Sequence, residues 1–128
     1  MYREGALHGR MLALSSGFFE WRHIPKIGKR GQPLKETEKI PYYITIDNSQ
    51  GYFFMAGVSR VWHNLEMDQK AATFAVLTTD AVGPMLEIHN TKKRMPVILG
   101  EGAYDAWLNA AHPEKAREFM RPYAANWL

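Results

Sequence analysis

Between Pro41 and Asp47 the residues alternate, with Tyr42, Ile44 and Ile46 falling on one face. A period of two is the mark of a half-buried β-strand. An α-helix does not carry it, because helical apolar positions return every three or four residues. Similar short runs recur along the chain. Phe18 to Trp21 reads as a short aromatic strand after the turn Ser15-Ser16-Gly17. Tyr52 to Val58 is apolar enough to be covered on both faces, and Thr73 to Thr79 is a further strand. Met95 to Leu99 is another, edged or bent at Pro96.

The segments between these runs are less regular. Asn48 to Gly51 is a turn. His23 to Lys39 contains Pro25, Gly28, Gly31 and Pro33 together with Lys26, Lys29, Arg30, Lys35 and Lys39, and is expected to be a long exposed hairpin connection. Tyr2 to Leu12 suits a short helix or an irregular lead-in, and Ser59 to Ala71 fits no single pattern. Met85 to Ile88, after Gly83-Pro84, makes one helical turn. Tyr104 to Asn109 reads as helical. So does Pro113 to Met120, with Pro113 in the first turn and Ala116, Phe119 and Met120 as its apolar stripe. Five or six strands followed by two short helices predict an α+β fold with a mostly antiparallel sheet.

At 128 residues the chain is expected to be one domain, residues 1–128, with a modest core. Its apolar content of 46% excludes a disordered tail. No apolar run approaches the roughly 20 residues of a membrane span, and Met1-Tyr2-Arg3-Glu4 opens no signal peptide. Cysteine is absent, which excludes disulfides, thiolate catalysis and cysteine-based zinc sites within this sequence. A cytoplasmic location fits. The formal charge of +3, from 16 Lys and Arg against 13 Asp and Glu, permits an anionic partner without demanding one. The chain starts in mid-pattern and stops at Trp127-Leu128 without an evident capping element. Edge strands left unpaired in this way favour a homo-oligomer or a swapped assembly.

Two residues stand out chemically. In Gly17-Phe18-Phe19-Glu20-Trp21, strand alternation puts Phe19 and Trp21 on one face and Phe18 and Glu20 on the other. A carboxylate beside Phe18 suits partial desolvation and acid/base work near neutrality. It equally suits a strand with one wet face. His89 lies where the apolar Leu86 to Ile88 stretch meets a basic loop, a setting for a proton shuttle or for a structural histidine. Histidines 8, 23, 63, 89 and 112 have no metal-ligand spacing, so no metal site is expected. Lys92-Lys93-Arg94 is a basic cluster, with Arg94 suited either to phosphate or to a solvated loop. Thr78-Thr79, at the end of a strand, can bond a phosphate or sugar. No phosphate-binding glycine loop, G-x-S-x-G or H-E-x-x-H motif occurs.

The order of these elements carries more than any one of them. Gly17-Phe18-Phe19-Glu20-Trp21-Arg22 is followed by Pro41-Tyr42-Tyr43-Ile44, Phe54-Met55-Ala56-Gly57 and Leu77-Thr78-Thr79. Then come Ile88-His89-Asn90, Arg94-Met95-Pro96-Val97-Ile98-Leu99 and Trp107-Leu108. This series, over nearly the whole chain, resembles the SOS response-associated peptidase (SRAP) family.

The resemblance implies a mostly antiparallel sheet or partly open barrel with short flanking helices. It also implies a role in the SOS and DNA damage responses, sensing abasic sites in single-stranded DNA. Members of the family lose the initiator methionine by autoproteolysis, freeing a cysteine. Its amine and thiol capture the ring-opened sugar aldehyde, first as an imine and then as a thiazolidine, giving a DNA–protein crosslink. Peptidase, hydrolase-like and lyase-like chemistry are thus implied, with no cofactor. By match to the family motifs, Glu20 and His89 are the catalytic residues. Glu20 would assist methionine removal and proton transfers, and His89 would serve as acid/base at the deoxyribose. Thr78, Arg94 and Asn90 would line the DNA site. A cytoplasmic protein, nucleoid-associated if bacterial, follows.

Two departures qualify this. Tyr2 stands where the family has its cysteine, and nothing here matches the family's segment upstream of Gly17. Asn90-Thr91-Lys92-Lys93 is also longer than the tight His-x-Arg-Met-Pro of many relatives. The expectation is the C-terminal portion of the family domain, supplying the Glu/His half of a site. The alternatives are a non-catalytic single-stranded DNA-binding module and a fragment without independent function.

Overall fold

The computed structural model describes residues 8–110 and 113–119. Among them are strands β1 (Arg10–Ser15), β2 (Phe18–Ile27), β3 (Pro33–Ile44), β4 (Phe53–Asn64), β5 (Gln69–Val76), β6 (Thr78–Asp80), β7 (Arg94–Pro96) and β8 (Ile98–Leu99). The helices are α1 (Pro84–Ile88), α2 (Tyr104–Leu108) and α3 (Pro113–Arg117), with a 3₁₀ turn at Glu101–Ala103. Every strand pairing is antiparallel. Strands β1, β4 and β5 lie side by side with β8 also on β4, while β2–β3 and β6–β7 form separate two-stranded ribbons. This is the expected α+β architecture, and the described strands do not close into a barrel. None of the described helices is long and apolar enough to cross a membrane.

Alternation along β4 divides the core. Phe53 joins Ile44, Ile46, Ala81, Met85, Ile88, Met95 and Ile98 on one face of the sheet. Ala56 and Val58 join Leu77, Val97, Leu99, Trp107 and Ala116 on the other. The strand read from Tyr52 to Val58 is therefore covered on both sides, as its apolar run required. Trp107 is fully buried, and its indole N–H donates to the Met11 carbonyl at 3.0 Å, so the large ring carries no unsatisfied donor inside. Tyr42, Ile44 and Ile46 share the inward face as their alternation demanded, with Ile44 and Ile46 buried. Pro84 opens α1, where its missing N–H lies among the groups a helix start leaves unbonded anyway.

Four expectations need correction. Arg10 to Leu12 belongs to β1, paired with Val58 to Ala56, and is not helical. The segment from His23 to Lys39 is not a connection. It is most of a hairpin arm whose turn is only residues 28–32. The prolines misled because each strand of a two-stranded ribbon has a free edge, where a missing N–H breaks no ladder. Pro25 sits at a register shift, Pro33 begins its strand, and Gly31 takes a positive φ of 77° at the tip. The apolar run from Thr73 to Thr79 breaks at Leu77, where Val97 inserts: its carbonyl takes the Ala56 N–H at 2.9 Å and its N–H bonds the Leu77 carbonyl at 2.8 Å. The run from Met95 to Leu99 likewise divides into β7 and β8 at Val97. Ser59 to Ala71, undecided from sequence, is the β4–β5 hairpin turning at residues 65–68. The Tyr2 to Leu7 part of the lead-in, Met120 and the Trp127-Leu128 end lie outside the described residues.

Candidate active site

Glu20 is the third residue of β2. Opposite it on β3 is Tyr42, so both side chains lie on the arm's inner face, as the strand period predicts for Glu20. Gly17 permits the tight entry to this strand, since a Cβ there would run into the Tyr43 ring and stand 2.8 Å from the Ile44 carbonyl oxygen. His89 follows the last residue of α1, its N–H bonded to the Met85 carbonyl at 2.9 Å. The two residues, distant in the chain, meet here. The Glu20 Oε2 atom lies 3.8 Å from His89 Nδ1, with side-chain exposures of 23% and 20%. That separation is an ion-pair contact rather than a hydrogen bond.

His89 is held from behind. Its Nδ1 donates to the Arg94 carbonyl at 2.8 Å, which assigns the neutral ring's proton to Nδ1. Nε2 is then the nitrogen able to accept a proton. The Lys93 N–H bonds the His89 carbonyl at 2.9 Å, so residues 89–94 wrap into a closed loop around the histidine. Lys93 adopts a positive φ of 51° to complete it. Glu20 is fixed through Oε1, which accepts the Trp21 N–H at 3.0 Å.

Arg94 serves twice. While its carbonyl positions the imidazole, its Nε donates to Thr78 Oγ1 at 3.0 Å across the β6–β7 ribbon. Thr78, Arg94, His89 and Glu20 therefore form one chain of contacts. Asn90, expected to line the DNA site, bonds the backbone of the arm. Its Oδ1 accepts the His23 N–H at 3.0 Å and its Nδ2 donates to the His23 carbonyl at 2.7 Å. The amide imitates one rung of a β-ladder and fastens the free edge of β2 to the His89 loop.

The walls brought together in this way enclose an open cleft of about 600 Å³. Glu20, Trp21, His23 and Lys39 line it from the arm, and His89, Thr91 and Lys92 from the loop. His23 and Lys39, directly opposite each other in the ribbon, escaped sequence reasoning because their segment was read as a loop. Counting back from the turn at residues 28–32 would have paired His23 with Thr37, and it is the register shift between Pro25 and Ile27 that sets Lys39 opposite it. The described residues contain no cluster of three groups suited to a metal ion.

Comparison with known proteins follows the same lines. A family model described as SOS response associated peptidase (SRAP) matches residues 1–128. No curated protein matches the chain. An X-ray crystal structure of a protein from Bacteroides thetaiotaomicron is similar, with a TM-score of 0.80 and 31% sequence identity. The match covers 97% of this chain and 49% of that one, so the chain spans about half the length of its structural relative.

Proposed function

Because this chain belongs to the SOS response-associated peptidase family, we propose that Glu20 and His89 form the acid/base half of a site acting on abasic sites in single-stranded DNA. The observation that carries the reading is the 3.8 Å approach of the two side chains inside one cleft, each only about a fifth exposed. In this reading the 128 residues form one SRAP-like unit.

The chemistry asks for proton traffic at one carbon. An amine adds to the ring-opened sugar's aldehyde carbon, and the resulting hydroxyl must leave as water, which requires a proton delivered to it. Reversal requires water to add to the imine while a base takes its proton. His89 Nε2 suits both steps, since the Arg94 carbonyl holds the other nitrogen's proton. Glu20, its Oε2 3.8 Å from His89 Nδ1, stands beside the ring through both steps. Closing a thiazolidine then adds a thiol to the imine carbon and a proton to its nitrogen. No cysteine is present in these 128 residues, so the aminothiol comes from outside them. Glu20 would also assist removal of an initiator methionine, and Thr78 and Arg94 would meet the strand's backbone.

Chemical complementation tests this. Free cysteine and an abasic single-stranded oligonucleotide form a thiazolidine and water, and the protein should accelerate that reaction. An enhancement of about 10²-fold is expected, lost in His89→Ala and Glu20→Gln. No acceleration, or acceleration indifferent to both substitutions, would overturn the proposal. The protein alone should yield no thiazolidine adduct.

The exposed Lys39 and Lys92 on the cleft lining favour a second reading, binding of single-stranded DNA without chemistry. Affinity should then fall as salt rises and fall further in Arg94→Ala. Absence of binding at low salt would exclude it.

A further inference from the structure

The loop after His89 supplies two of the groups lining the cleft. Thr91 and Lys92 reach it from residues 90–93, and Lys39 and His23 reach it from the arm. Both lysines are exposed, and neither is in an ion pair with a carboxylate among the described residues, whereas Lys26 is paired with Glu36 at 2.8 Å. The lysines come from opposite walls of the same opening, with the Glu20–His89 pair also on its lining. The walls do not stand independently, because Asn90 bonds one to the other at His23.

We propose that Lys39, Lys92 and Thr91 form a phosphate subsite beside the acid/base pair, taking the phosphate attached to the sugar on which Glu20 and His89 act. Two ammonium groups lining one cleft can both donate to an oxyanion, and a threonine hydroxyl adds a third donor. The proposal rests on the abasic-site reading of Glu20 and His89.

The test compares 2-deoxyribose 5-phosphate with 2-deoxyribose, titrated into the intact protein at low ionic strength. Heat of binding and the His89 ring proton resonances are the readouts. A charge-assisted contact predicts that the phosphorylated sugar binds about tenfold or more tightly. It should shift the His89 resonances. Lys39→Gln with Lys92→Gln should bring the two sugars within about twofold. Both positions are exposed, and Asn90 is untouched, so the cleft itself persists. Equal affinity in the wild type, or a preference that survives the double substitution, overturns the subsite. If sugar phosphate is not preferred but thiazolidine formation still depends on Glu20 and His89, only the subsite fails. If it is preferred and that dependence is missing, the catalytic reading fails instead.

Discussion

The β2–β3 and β4–β5 hairpins both project as ribbons, but they are rooted in different ways. Strand β4 is locked into a sheet, with six residue pairs to β1 and two to β8. The β2–β3 ribbon has no backbone ladder to a third strand among the described residues. Side chains hold it instead. Phe18, Tyr42 and Ile44 pack on α1 and its neighbours, and the Asn90 amide grips His23. The candidate acid therefore rides on the hairpin whose placement depends on a few side chains, while the more firmly rooted hairpin contributes nothing to the cleft. Local stability is unequal in such molecules, and functional segments tend to come from the weaker end.

Four substitutions sharpen or break that contrast. The largest effect is expected at the rooted sheet, where Trp107→Ala should cost about 3–5 kcal/mol in urea denaturation. A loss below about 1 kcal/mol would mean that the second core cluster does not carry the sheet. Next is Ile44→Ala, at the foot of the arm, for which about 2–5 kcal/mol is expected. Hydrogen exchange should speed in β2 and β3 more than in β4, and a uniform change along the chain would contradict side-chain rooting.

Asn90→Ala should cost about 1–3 kcal/mol, since it leaves a backbone N–H and carbonyl at His23 without their partners. Its sharper signature is functional. Glu20-dependent chemistry should drop while the near-ultraviolet signal of buried Trp107 stays put. Retained chemistry would show that the arm needs no latch. The smallest effect is expected at the exposed Lys26–Glu36 pair, where Glu36→Gln should change stability by no more than about 1 kcal/mol. A larger loss would mean that the arm's outer end takes part in its docking.

The parts of the molecule legible in the sequence were those governed by local rules. Alternation placed Tyr42, Ile44 and Ile46 inward, and Pro113 marked a helix start. The outward part of the arm was hidden because Pro25, Gly28, Gly31 and Pro33 mimic a loop when the strand edge they occupy is unknown. At the site, motif order singled out Glu20 and His89, yet nothing local could show that they meet. That contact is set by the packing of α1 against β2. The bonds of Asn90 to the His23 backbone were not legible, because an amide's chemistry does not say which partner it takes. Thr78 and Arg94 could be paired only once β6 and β7 were known to be antiparallel neighbours.

The Asn90 amide has a consequence beyond holding two walls together. Strand side chains alternate faces, so a slip of β2 by one residue against the loop would present Phe19 or Trp21 to His89 and turn Glu20 outward. The amide bonds the N–H and the carbonyl of one residue, His23, three positions beyond Glu20. It therefore works as a counting device. It reads one rung of the strand and fixes which side chain arrives opposite the imidazole. Lengthening or shortening β2 by one residue between Glu20 and His23 would leave the amide's grip intact and misdeliver the carboxylate.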